Sequence, residues 1–204
     1  MSVVYLIDEL TEWARQEVCE KIKLKVPPAN EVDAVDEGYA YELVTPAAFA
    51  MYTPTSEKLP PGIFSPIPSL CVRFIAGEHD PASGSGYVDV QFWFSTWDPG
   101  THGKDILVPA ERGCVHWKAE ESSAFRRNAE GWRDAWNFVD IALRAVESVT
   151  AIGRYPVDRS TPIKFGPLTE QEEISDLYPF WFAWMQFRVN YPLVRNNAEF
   201  QNFL

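Results

Sequence analysis

Cysteine is scarce in this sequence, and the few cysteines present are poorly spaced for cross-linking. Cys19, Cys71 and Cys114 are odd in number and far apart. A disulfide framework uses an even number, and a zinc clip uses cysteines about two to four residues apart. We therefore expect a reduced chain that needs neither disulfides nor metal. Its 204 residues, 46% of them hydrophobic, suffice for one domain with a sizeable core.

Long apolar runs are also missing. The most apolar stretch, residues 178–185, is much shorter than the ~20 residues of a membrane helix. The first ten residues, MSVVYLIDEL, have no basic segment before their apolar residues and reach Asp8 and Glu9 at once, unlike a secretory signal. The sequence therefore predicts a soluble protein.

Positively charged residues are few: the sequence has 18 Lys and Arg but 29 Asp and Glu, which gives a formal net charge of −11. Tight binding of nucleic acid depends on Lys and Arg that displace counterions from phosphates. The composition therefore argues against specific DNA binding. An acidic surface would still suit DNA that slides past without sticking, although acidic surfaces also simply keep many proteins soluble.

The familiar catalytic motifs are absent: the sequence contains no GxSxG, HExxH, GxxxxGK[ST] or GxGxxG. The most catalytic-looking stretch is the 97–116 loop, in which Asp98, His102 and Asp105 could form an acid–base couple. Cys114 and His116 could supply two zinc ligands, but no partner pair stands at a recognised spacing. We expect no catalytic residue, no metal and no cofactor, and we keep a small enzyme with its site in this loop as the alternative.

Hydrophobic periodicity indicates two helices and several strands. Apolar residues recur at three- and four-residue steps in both predicted helices, and residues 88–94 alternate in the pattern of a half-buried strand. Two long segments favour neither helix nor strand: residues 45–68, which contain six prolines, and residues 96–130. The predicted elements are helices at 3–23 and 131–149 and strands at 40–44, 70–75, 88–94, 162–165 and 180–191. We expect the strands at 70–75 and 88–94 to form a hairpin.

These elements predict an α+β fold: a mostly antiparallel sheet with two main helices packed on one face and two long irregular loops. Residues 1–191 form the single domain, and 192–204 form a polar C-terminal tail. The second helix and the last strand have the strongest apolar stripes. We expect them to pack together, which joins Trp136, Val139 and Leu143 to Trp181, Met185 and Phe187.

Aromatic residues are plentiful, and the eight tryptophans exceed what a core of this size usually requires. Tryptophan and tyrosine are enriched at the centres of protein interfaces. Exposed tryptophan also binds carbohydrate, which we keep as a weaker reading. The candidate assembly contacts lie in the two long segments and the tail: Phe49, Tyr52, Phe64, Trp97, Trp117, Phe200 and Phe203.

Three short stretches together resemble a known class of protein. They are residues 95–100 (STWDPG), 130–137 (EGWRDAWN) and 178–184 (YPFWFAW). This succession is similar to that of small α+β tail proteins encoded by phages and prophages, of the tail-terminator or tail-completion kind. The chain is longer than the smaller terminators, and its proline-rich segment has no counterpart in them, so another neck or baseplate component is also possible.

The resemblance implies a structural virion protein that forms a homo-oligomeric ring, typically a hexamer, at the end of the tail tube. Its partners would be copies of itself and the tail-tube and neck proteins, with DNA only passing through. Such a protein assembles in the cytoplasm of the bacterial host and then resides in the virion tail. If DNA passes through the ring, acidic residues of the second long loop would line the bore: Asp98, Asp105, Glu111, Glu120 and Glu121.

Overall fold

A computed structural model describes residues 3–27, 42–82, 84–102, 106–109, 115–118, 125–127, 130–170, 173–174 and 177–192. The helices are α1 (Val3–Glu17) and α2 (Trp132–Ser148). The strands are β1 (Leu24–Lys25), β2 (Leu43–Val44), β3 (Ala47–Ala50), β4 (Ser69–Asp80), β5 (Ser85–Trp97), β6 (Gly100–His102), β7 (Ile106–Pro109), β8 (Val115–Lys118), β9 (Phe125–Arg127), β10 (Ala151–Ile152), β11 (Tyr155–Pro156), β12 (Lys164–Pro167), β13 (Thr169–Glu170), β14 (Glu173–Ile174) and β15 (Phe180–Pro192).

The main sheet has five strands in the order β12-β15-β5-β4-β3. Its centre is a long antiparallel ladder, in which all of β5 pairs with all of β15, from Trp97 opposite Phe180 to Ser85 opposite Pro192. The predicted hairpin of β4 and β5 is confirmed, and a bulge interrupts it between Phe74 and Ala76. Only β3 runs parallel to its neighbour, β4. The predicted α+β class, with a mostly antiparallel sheet, is confirmed.

Both helices pack on one face of this sheet, as predicted. Helix α1 contacts β3 and β4, and α2 contacts β15 and β5. The core between them is closed by edge-to-face aromatic contacts, with ring centroids 5.0 Å apart for Phe94 and Phe138 and 5.1 Å apart for Phe92 and Phe187. Such pairs stabilise beyond the area they bury. Neither helix in the described part of the chain is long and apolar enough to cross a membrane.

The opposite face of the sheet carries neither α1 nor α2 and is partly covered by the proline-rich arm, residues 51–68. Met51 and Ile67 of the arm line a cavity of about 540 Å³ together with Trp93 and Phe182 of the sheet. Ile67 also packs on Trp97. Part of the arm therefore lies on the surface of its own domain, which accounts for the apolar character of Ile67.

The element boundaries differ from the predicted ones for identifiable reasons. Helix α1 ends at Glu17 rather than Lys23, because Val18 has a non-helical backbone (φ −120°) and a short 3₁₀ turn, Cys19–Lys21, follows. Strand β4 continues to Asp80, because backbone pairing with β5 does not require apolar side chains. Neither long segment is wholly irregular, since 45–68 contains β3 and 96–130 contains β6, β7, β8 and β9. Residues 40–41 of the predicted strand lie outside the described residues.

The buried stripe of α2 is also rotated from the predicted one. Its buried residues are Ala135, Phe138, Val139, Ala142 and Val146. Trp132 is 43% exposed, and Trp136 is only partly buried. Both tryptophans lie beside the stripe rather than within it. The predicted contact between α2 and β15 is confirmed, but Phe138 and not Trp136 is its large buried residue.

The two positions should differ in their effect on stability. Phe138→Ala is expected to lower the free energy of unfolding by about 3–5 kcal/mol, because it empties a fully buried aromatic site. Trp136→Ala should cost about 1–2 kcal/mol, since its side chain is only partly buried at the edge of the core. Urea denaturation of both variants gives the comparison. A larger loss for Trp136→Ala would contradict the packing described here.

Candidate functional site

The three stretches that carry the sequence resemblance meet at one end of the sheet. Asp98 follows β5, Gly131 precedes α2, and Tyr178 and Trp181 lie at the start of β15. The backbone N–H of Asp98 donates to the carbonyl of Pro179 (3.0 Å), and Trp181 Nε1 donates to the carbonyl of Asp98 (3.0 Å). The Tyr178 hydroxyl donates to the carbonyl of Pro99. We call this set of contacts the junction.

Gly131 is required at the junction because no side chain would fit there. A Cβ added to Gly131 would lie 2.3 Å from Trp181 Nε1 and 2.7 Å from Asp98 Cβ. Such distances are far below ordinary van der Waals contact, and both neighbours are themselves held by hydrogen bonds. The glycine therefore allows the start of α2 to approach β5 and β15 closely.

A buried ion pair lies against the junction. Lys25 Nζ of β1 is 2.9 Å from Asp98 Oδ1 and also donates to the carbonyl of Gly100 (3.1 Å). Asp98 Oδ1 accepts a further hydrogen bond from the N–H of Gly100 (2.9 Å). The two side chains are only 6% and 11% exposed. A buried charge pair of this kind is tolerated when both partners are hydrogen-bonded, and it is costly to break.

A second carboxyl group faces the ion pair. Asp134, in the first turn of α2, is half-buried. Burial raises the pKa of its carboxyl from 3.8 to about 6; the negative charge of Asp98 raises it too, and Lys25 acts in the opposite direction. One ammonium thus stands near two carboxyl groups, and burial favours the neutral form of Asp134.

An aromatic groove opens beside the junction, between the start of α2 and the start of β15. Its volume is about 410 Å³. Trp181 belongs to both features, because its indole N–H is bound at the junction while the residue lines the groove. The groove is lined by Trp132, Ala135, Trp136, Pro167, Leu168, Phe180, Trp181 and Phe182.

The groove is accessible to solvent. Trp132 is 43% exposed, and the nearby Phe165, whose ring lies 6.1 Å from that of Trp136, is 50% exposed. The guanidinium of Arg133 stacks on Trp132 at 4.7 Å, an arrangement in which the cation is attracted to the negative face of the ring. Tryptophan and arginine at the mouth of an apolar groove are the residue types that dominate protein–protein hot spots.

The chemistry of this region favours binding. The carboxylate of Asp98 and the ammonium of Lys25 are already bound to each other inside the protein. Over the described ranges, no group of three or more His, Cys, Asp or Glu residues is arranged to hold a metal ion. The groove itself offers flat aromatic surfaces and few polar atoms, which suits an apolar side chain of a partner.

The residues predicted to form assembly contacts differ in their exposure to solvent. Tyr52 and Phe64 are 68% and 96% exposed and are available for contact. Phe49 and Trp97 are only 5% and 2% exposed, so the expectation that they contact other copies is wrong. Phe49 is paired with Cys71 of β4, and Trp97 is covered by Ile67. The side chain of Trp117, and Phe200 and Phe203, lie outside the described residues.

One of the five acidic residues predicted to line a bore is buried in the structure. Asp98 cannot line a bore, because its carboxylate is buried against Lys25. Asp105, Glu111, Glu120 and Glu121 lie outside the described residues, as does Cys114. His102 and His116 lie in β6 and β8. The sequence reasoning missed the groove, although Trp132 and Trp136 are four residues apart and thus neighbours on one helix face.

No model of a known protein family matches the chain, and no curated protein matches it closely enough to count as a relative.

The buried ion pair yields a prediction about stability. Lys25→Met should lower the free energy of unfolding by about 3–5 kcal/mol, because it leaves the carboxylate of Asp98 buried without that ammonium. The double variant Lys25→Met/Asp98→Asn should lose clearly less than the sum of the single changes, since no charge then remains uncompensated. Urea denaturation at neutral pH measures all three. Additive losses would show that the two side chains do not depend on each other.

Asp134 yields a prediction about pH. Its pKa in the folded protein, about 6, exceeds the ordinary 3.8, so between these values the folded protein binds more protons than the unfolded one. Its contribution to stability therefore falls as pH rises through this window. Asp134→Asn should raise the free energy of unfolding at neutral pH by about 1–3 kcal/mol and flatten this dependence. Asp140→Asn, exposed on the same helix, is the control. A loss of stability at neutral pH for Asp134→Asn would refute the assignment.

Proposed function

We propose that this chain is a structural protein that assembles with copies of itself into a ring at the end of a phage tail tube and joins the tail to the neck. The observation that carries the proposal is the solvent-accessible aromatic groove at one edge of the sheet. An exposed apolar groove is costly to leave in water, and surfaces of this kind in stable proteins mark contact sites.

The junction supports the same proposal from another direction. The three stretches that resemble tail proteins are the ones that build the junction and one wall of the groove. Their shared pattern thus corresponds to a physical arrangement: Gly131 for close approach, Trp181 for the wall, and Asp98 for the bond that holds Trp181. A ring component needs a rigid lateral surface, and a hydrogen-bonded tryptophan provides one.

The acidic composition fits a passage for DNA. A net charge of −11 repels phosphates on average, so DNA would move through such a ring without being retained. The buried pair of Lys25 and Asp98 contributes no net charge to the surface. The proposal therefore assigns DNA no specific binding site on this chain.

An enzyme is the second candidate, and one observation favours it. Asp134, whose pKa is raised, lies in the same helical turn as Trp132 and Ala135, which line the groove of about 410 Å³; acid–base catalysts use carboxyl groups with raised pKa values near such grooves. The neighbouring polar side chains of Lys25 and Asp98, however, are bound to each other. A catalytic role would require Asp134→Asn to abolish a reaction while the fold and the assembly stay intact.

Assembly is the direct test. We expect light scattering of the purified chain to show concentration-dependent oligomers, and electron microscopy to show rings, alone or after addition of tail tubes from the phage or prophage that encodes the chain. Duplex DNA should show no measurable binding at physiological salt. A chain that stays monomeric both alone and with tail tubes would refute the proposal, as would submicromolar, salt-sensitive DNA binding.

A further inference from the structure

Resting on the proposed function, we infer how neighbouring copies hold each other: the tip of the proline-rich arm of one copy, with Phe64 as its anchor, inserts into the aromatic groove of the next copy. The contact is head to tail, because two different surfaces of the same chain meet. Repeated around an axis, such a contact closes into a ring.

The two surfaces lie at opposite edges of the sheet. The groove lies at the β12 edge, since Pro167 and Leu168 at the end of β12 line it together with residues of α2 and β15. Phe64 lies at the β3 edge, where it borders a cavity of about 340 Å³ with Ala47 and Ala48 of β3. Four strand spacings, or about 19 Å, separate β12 from β3. Surfaces on opposite edges can join successive copies side by side.

The arm is built to present Phe64. Its side chain is 96% exposed, which is exceptional for so apolar a residue. Pro60 and Pro61 precede it, and Gly62 has a positive φ of 87° that turns the chain. Prolines restrict the unfolded and unbound conformations, so fixing this tip on a partner costs little conformational entropy.

The exposed area of Phe64 suits the centre of a contact. A fully buried aromatic side chain removes about 150–250 Å² from water. Phe64 is 96% exposed, so nearly all of this area is available to a partner. A standard interface buries about 800 Å² on each partner. Phe64 thus supplies about a fifth to a third of one side, which matches the apolar centre of an interface surrounded by a polar rim.

Other pairings of two copies fit less well. Two grooves facing each other would leave a void between concave walls, and voids forfeit contact energy. Strand addition at the sheet edges is blocked, because β3 and β12 each have only four residues, Pro46 precedes β3, and β12 ends at Pro167. Insertion of the protruding Phe64 into the aromatic groove would remove both apolar surfaces from water.

Cross-linking between two single-cysteine variants tests the inference. In a Cys114→Ser background, in which Cys19 and Cys71 are buried, Pro61→Cys marks the arm and Arg133→Cys marks the mouth of the groove. A short bis-maleimide should join the two variants when they are mixed, and should join neither variant to itself. Ile75→Cys, which is equally accessible but lies on the β4–β5 hairpin, is the matched control and should not react with Arg133→Cys.

A pair of substitutions at Phe64 gives an independent measurement. Phe64→Ala should weaken self-association about tenfold or more, whereas Phe64→Leu should keep most of it, because the groove accepts an apolar side chain of similar volume. Both variants should unfold at the same urea concentration as the parent, since the side chain makes almost no contact within its own chain. Sedimentation equilibrium over a concentration series measures the association.

The outcomes separate this inference from the proposed function. Normal ring formation by the Phe64→Ala variant would overturn the head-to-tail contact but not the proposed ring. A cross-link of Pro61→Cys or of Arg133→Cys with another copy of the same variant would do the same. Cross-linked pairs from a protein that assembles only into open chains and never caps a tail tube would support the contact and overturn the function in the tail. No cross-link at any protein concentration up to the solubility limit would overturn the inference.

Discussion

The structure depends most on the register between β5 and β15. This ladder pairs two strands that are far apart in sequence, and it fixes which side chains face the helices. A slip by one residue would place Phe92 opposite Trp184 instead of Met185, so that one of the two strands would turn its core side chains away from the helices. It would also part Asp98 from Pro179 and Trp181. The core and the junction thus follow from one pairing, and the bonds at the junction hold that pairing at its end.

Trp181 contributes both to the junction and to the wall of the groove. Its N–H is bound to the carbonyl of Asp98, and Gly131 lies directly against it. The wall of the groove therefore has a fixed orientation before any partner arrives. A rigid aromatic surface loses little side-chain entropy on binding, so more of the area it buries contributes to affinity. The buried ion pair of Lys25 and Asp98 lies at the same place, and such a pair is costly to break even though it adds little net stability compared with well-packed apolar side chains.

The order and type of the main elements could be predicted because their apolar periodicities are strong. Alternation in residues 88–94 and the stripe of α2 led to the correct class, to the hairpin and to the contact of α2 with β15. Strand ends could not be predicted, because pairing partners extend a strand through polar residues such as Glu78 and His79. The four residues of β3 have no periodic signal and are ordered by the neighbouring β4.

The candidate site was predicted in its residue types but not in its positions. Excess tryptophan indicated contact surfaces, yet composition does not distinguish Trp97, which Ile67 covers, from Trp132, which remains exposed. That difference arises from contacts between residues distant in sequence. The partnership of Lys25 with Asp98 was likewise invisible, because 73 positions separate the two residues.

The closeness of Gly131 to Asp98 has a consequence for how this fold can vary. The chain leaves the sheet after Asp98 and returns at Gly131 to the same spot, where a Cβ on the glycine would lie 2.8 Å from the carbonyl oxygen of Asp98. The intervening residues are thus an excursion whose two ends are already joined. Doubling the length of such an excursion adds only about 0.6 kcal/mol of closure entropy. This position is therefore a natural insertion point, at which related chains could acquire, shorten or exchange a whole segment while the sheet and both helices remain unchanged.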